Sequence, residues 1–181
     1  MKWANLQNAD LREAYLCGAN LGGVALQEAN LCNADLNRAR FSESEAYEYM
    51  YLEEAEPIEI DSSDEIVWIG GTNLSRTLFS GAILTQACLT GVVLSYANLS
   101  RANLTAAKLT RAELNGAILT AANLRGANLE GANLTGADLR EANLSYAKLT
   151  GANLSGTKLA GALLHETELS GTIMFDRDNE V

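Results

Sequence analysis

Residues on which site chemistry is usually built are scarce in this chain. One histidine and three cysteines stand among 181 residues. That excludes a multi-histidine metal centre and a disulfide-stapled scaffold, because both need their ligands or bridges in sets. No stretch approaches the roughly 18 apolar residues that cross a bilayer. The start, Met1-Lys2-Trp3-Ala4-Asn5-Leu6, enters patterned sequence at once with no apolar leader, so the expectation is a cytoplasmic protein that does not span a membrane. What remains is 48% hydrophobic and 20% charged, enough apolar material for one domain with a buried core.

The dominant feature is a period of five. Leucine or phenylalanine recurs at 6, 11, 16, 21, 26, 31, 36 and 41, and again from Leu74 through Phe79 and Leu84 to Leu169. Of these 28 positions 26 are Leu and two are Phe (Phe41 and Phe79), and the residue two before is Ala in 22; a repeat this strict overrides local propensity. The period fits neither a helix, which spaces apolar residues by three and four, nor a two-sided strand, which alternates them. The chain must therefore turn once per unit.

Within a unit, Ala and Leu lie two apart and share a face of extended backbone, while the residue between them points outward. The last two positions, rich in Ser and Thr and then Gly, form a corner, where glycine suits φ values that other residues resist. The pattern A-[N/D]-L-x-x resembles the pentapeptide-repeat family, and its purity resembles cyanobacterial members. The resemblance implies an all-β fold, a right-handed quadrilateral β-helix with four five-residue sides per coil. At about 4.8 Å per stacked rung, about seven coils make a rod of roughly 34 Å. Every central Leu from Leu84 to Leu169 is then expected in the core and the residue before it at the surface. Asn103, Asn123 and Asn143 fall on one side and Asn133 and Asn153 on another, where stacked amides are expected to stabilise the turns and to bond along the axis as ladders.

One stretch breaks the pattern. The reading is a single domain, residues 1–181, with repeats over 4–43 and 67–174 and a non-repeat acidic insertion at 44–66, an inserted lobe on the solenoid. Val67-Trp68-Ile69-Gly70-Gly71 fits the later phase as its first unit. From Ser42 to Ile66 there are ten acidic residues and no Lys or Arg, so the net charge of -10 resides in this lobe and the repeats are close to neutral. The lobe also holds Tyr47, Tyr49, Tyr51 and Pro57. A short helix from Ser42 or Ser44 to about Glu54 and a hairpin after Pro57 are expected. The units after it carry Leu78, Ile83, Cys88 and Val93 at the outward position. Such a coil asks for a cover, and the lobe either folds back over it or projects into solvent.

No catalytic constellation appears. His165 is isolated beside Glu166 and Glu168 and reads as a surface histidine, while Cys17 and Cys32 face out on different sides. Asp61-Ser62-Ser63-Asp64-Glu65 lacks the alternating spacing of a calcium loop and reads as a polar turn. Catalytic residues, metal sites and cofactors are accordingly expected to be none. The basic residues of the rod form no phosphate-tracking stripe, so direct nucleic-acid binding is not expected. The expected function is a non-enzymatic, protein-binding solenoid scaffold with an unknown protein partner, as a monomer or a weak end-to-end homo-oligomer. Tyr47, Tyr49, Tyr51, Glu53, Glu54 and Glu56 are its candidate partner-binding residues. The resemblance also suggests an alternative, a DNA-mimicking inhibitor or protector of gyrase, a type II topoisomerase. The near-neutral rod departs from the acidic walls of that branch.

Overall fold

A computed structural model of the chain describes residues 4–21, 24, 26, 29–32, 34–36, 39, 41 and 73–174. Each unit contributes one short rung that pairs in parallel with the rung twenty residues later. Asn73, Val93, Glu113, Asn133, Asn153 and Ile173 form one ladder, and Asn30, Leu78, Asn98, Ile118, Asp138 and Lys158 another. Ile83, Asn103, Asn123, Asn143 and Leu163 form a third, and Cys88, Lys108, Asn128, Lys148 and Glu168 the fourth. Four ladders twenty residues deep account for the period, because four units of five return the chain to the same wall.

The backbone groups of each rung are satisfied by its neighbours. Asn123 N–H donates to the Ala102 carbonyl one coil before (2.9 Å), and Leu124 N–H donates to the Asn143 carbonyl one coil later (2.8 Å). At the corner, Ala127 N–H donates to Leu124 C=O (3.0 Å) and closes a four-residue turn. The third residue of that turn takes positive φ, as a type II turn requires. This holds at every described corner from Arg76 to Gly171, yet about half of these residues are not glycine: Arg76, Tyr96, Ala121 and Glu141 all sit at φ between 54° and 61°. The rung bonds enforce the corner, and glycine only makes it cheaper.

The ladders cross the interruption without losing register. Asn30 pairs with Leu78 and Asp35 with Ile83, forty-eight residues apart instead of twenty, so the sequence between these partners is twenty-eight residues longer than one coil. Thr77 shows the same offset: its hydroxyl donates to Leu26 C=O over 51 residues (2.8 Å), whereas Thr157 and Thr167 make the equivalent bond to Leu134 and Leu144 over 23. The rung beneath Cys88 is held by Ala39 and Phe41, since Cys88 N–H donates to Ala39 C=O and Phe41 N–H to Cys88 C=O, both at 2.9 Å. Val67–Gly71, like the expected helix and hairpin, lies outside the described residues.

The core is a stack of Leu and Ala layers, and Phe41 and Phe79, one from each described block of repeats, meet in it edge to face at 6.4 Å between ring centres. The expected burial holds from Leu84 to Leu154 but fails beyond it. Leu159 and Leu169 are half-buried and Leu164 is 39% exposed, because no further described coil covers them. Cys88 also departs from its expected place at the surface and is 4% exposed. Among the described residues no helix is long and apolar enough to cross a membrane.

Candidate interaction surface

Tyr47, Tyr49, Tyr51, Glu53, Glu54 and Glu56 lie outside the described residues; the coil that follows them in the chain does not. Its outward positions are four consecutive rungs, one on each wall. Leu78 and Ile83 are exposed, Val93 is half-buried and Cys88 is shielded. Three cysteines are free, Cys17 exposed, Cys32 half-buried and Cys88 buried.

Asparagine plays a more local part than the expected ladder. The Oδ1 of Asn123 accepts the N–H of Arg125 two residues on, and Asn73, Asn98, Asn103, Asn128, Asn133, Asn143 and Asn153 make the same bond in their own units. The side chain thus caps its own corner as an Asx turn. A contact two residues away closes a small ring at little entropic cost, so it wins over a partner on the next rung. Amides do also bond along the axis: Asn133 Nδ2 donates to Glu113 Oε2 at 2.8 Å, and at a corner Asn115 Oδ1 accepts from Ser95 Oγ at 2.6 Å. Two aspartates at this position bond within their own units as well. Asp138 accepts Arg140 N–H (3.2 Å) and a two-pronged contact from the Arg140 guanidinium (2.8 and 2.7 Å), and Asp10 and Arg12 repeat that geometry. The guanidinium bonds hold the Asp138 carboxyl below its ordinary range against the opposing effect of burial, and Lys158 adds a smaller pull the same way.

The twenty-residue register also assembles a column that the linear sequence hides. At one corner the Arg125 guanidinium lies 4.3 Å from the centre of the Tyr146 ring, Tyr146 meets His165 edge to face at 5.4 Å, and His165 Nε2 lies 3.2 Å from Glu166 Oε1. Counting by twenty from Arg125 reaches Ser145 and then His165, and Tyr146 is the residue after Ser145 at the same corner. His165 is thereby a surface residue engaged with its neighbours. No group of three or more His, Cys, Asp or Glu among the described residues is placed to hold a metal ion.

The pentapeptide-repeat family model matches residues 1–31, 26–46, 68–95, 97–136 and 137–174, in eight copies. The chain belongs to the pentapeptide-repeat family. Among solved structures, this pentapeptide-repeat chain is similar to Rfr23 from the cyanobacterium Cyanothece 51142, at 28% identity over 87% of this chain and 89% of that one, with a TM-score of 0.37. It is also similar to HetL, a pentapeptide repeat protein involved in heterocyst differentiation regulation from the cyanobacterium Nostoc sp. strain PCC 7120, at 26% identity over 96% and 90% with a TM-score of 0.26. A trypsin-treated form of QnrB1, a plasmid-mediated fluoroquinolone resistance protein, aligns at 17% identity over 96% and 90% with a TM-score of 0.39. No curated protein matches the chain.

Proposed function

We propose that this pentapeptide-repeat protein is a non-enzymatic scaffold, a right-handed quadrilateral β-helix of about seven coils that works in the cytoplasm by binding another protein. The observation that carries this reading is the division of labour within the unit. Inward positions are taken by Leu and Ala of the core, and most outward Asn and Asp cap their own corners. What the repeat does not explain is the segment with ten acidic residues and no Lys or Arg, which interrupts a near-neutral repeat sequence at one point. Loops carried on rigid scaffolds are common sites of recognition, and tyrosine is a favoured interface residue. Tyr47, Tyr49, Tyr51, Glu53, Glu54 and Glu56 are therefore proposed as the partner-selecting group. Affinity capture with the full chain should retain a partner that a Tyr47→Ser/Tyr49→Ser/Tyr51→Ser variant loses; equal capture by both removes the tyrosines from the role.

The concentration of carboxylates favours one further reading, mimicry of DNA toward gyrase. It is the weaker of the two, because imitation of a duplex needs closely spaced negative charge along a surface, and the charge here is confined to one segment. A supercoiling assay is expected to show little or no inhibition. Strong inhibition, lost when Glu53, Glu54 and Glu56 are changed together to Gln, would reverse the order.

A further inference from the structure

Most outward rungs are polar, so the apolar exceptions can be mapped wall by wall. Large exposed apolar side chains occur at the two ends of the described stack and, between them, at Leu78, Ile83, Tyr96, Ile118 and Tyr146. Tyr146 is held in the column with Arg125 and His165. The other four crowd onto adjoining walls. Leu78, Asn98 and Ile118 are consecutive members of one ladder, and Ile83 stands on the wall beside it in the same coil as Leu78. Tyr96 occupies the corner that leads into Asn98.

Gly116 fixes what Tyr96 presents. A Cβ added at Gly116 would lie 2.5 Å from Tyr96 Cε1, so the ring lies across the glycine of the next coil, two residues before Ile118. Tyr96 is still 61% exposed there. The ring therefore offers apolar surface at the corner that borders the wall of Leu78, Asn98 and Ile118. Arg76 stands at the corner before Leu78, and its N–H donates to Ser95 C=O; Arg101 stands at the corner after Asn98, and its N–H donates to Thr120 C=O. Both arginines are exposed, and neither is ion-paired with a described residue. An apolar strip is thus bordered on both long sides by positive charge.

We propose that Leu78, Tyr96 and Ile118, with Arg76 and Arg101, form a docking surface for an acidic peptide segment of a partner protein that carries apolar or aromatic anchors. The site is on the rod and does not depend on the tyrosines assigned above. Charge complementarity selects the occupant: a basic segment meets two guanidinium groups, and a neutral apolar one leaves them unused. The spacing selects its form. Leu78 and Ile118 are two rungs apart, about 9.6 Å, which matches anchors three residues apart on one face of a polyproline II segment, with three residues per turn at about 3.1 Å each.

The test uses the full chain and a fluorescently labelled synthetic peptide, EEYEELEE, whose Tyr and Leu are three apart, followed by anisotropy. Binding is expected, with affinity falling on the order of fivefold or more for Leu78→Ser/Ile118→Ser and for Arg76→Glu/Arg101→Glu, as the loss of packed anchors or of complementary charge implies. Both pairs point outward, so thermal melts should match the parent; Gly116→Ala, which displaces the Tyr96 ring, gives an independent third variant. Affinity should also fall as salt rises. Absence of binding, equal binding of a peptide with Lys in place of Glu, or binding indifferent to all three variants overturns the proposal. So does preferential binding to vesicles of mixed neutral and anionic lipid, which would make the strip a membrane contact.

Discussion

Replacing Leu124 by Ala is the most direct test of the stacked core, and Leu164→Ala is its internal control. Leu124 is 1% exposed, with Leu104 before it and Leu144 after it in the same column of the core, both buried. The substitution removes three buried carbons at about 0.8 kcal/mol each, or about 2.4 kcal/mol, before any cavity is counted. Neighbouring coils are tied by rung bonds at 2.8 to 2.9 Å and cannot settle into the gap, so the cavity left behind raises the cost toward about 5 kcal/mol. Leu164 occupies the equivalent position on the same wall but is 39% exposed. Its loss opens to solvent, leaves no closed cavity and should cost no more than about 1.5 kcal/mol. Urea unfolding followed by circular dichroism reads both variants. The m-value must be compared with the parent, because a repeat stack can lose end units separately. Equal costs at the two sites, or a cost below about 1 kcal/mol for Leu124→Ala at unchanged m, would refute the picture of a continuous packed column.

The corners give three more tests. Ala121 has φ 54°, so Ala121→Gly should stabilise by about 0.5–1 kcal/mol, the relief of a left-handed backbone less the extra freedom of glycine in the unfolded chain; a lowered melting temperature would contradict it. Asn123→Ala should cost about 1 kcal/mol by leaving Arg125 N–H without its acceptor, while Asn123→Asp, which keeps an acceptor oxygen, should lose clearly less. Asp138 has a carboxyl pKa held below its ordinary value by Arg140. Its contribution to stability is therefore complete above the unfolded value of about 3.9 and declines as pH falls from there toward the lower folded value. Asp138→Asn should flatten the fall in stability below about pH 4, and an unchanged acid profile from parallel melts would remove the Asp138–Arg140 pair as its cause.

Much of this architecture is carried by the order of residues alone. Leu at every fifth place with Ala two before it can put both on one face only if the chain turns once per unit, so core, rung and corner follow from period and side-chain direction. The charge count likewise separates the acidic segment from the neutral repeats before any contact is known. Other features depend on which residue lies one coil away, and that distance is set by closure. Arg125, Tyr146 and His165 are unremarkable until a coil of twenty residues brings them to one corner, and Tyr96 becomes a flat apolar surface only because Gly116 arrives beneath it. The same holds for the Asn side chains, which bond within their own units because the turn brings an N–H within reach first. Closure also decides where burial stops: Leu164 obeys the repeat as well as Leu124 does, but a leucine in a stack is buried only when there is a coil on either side of it.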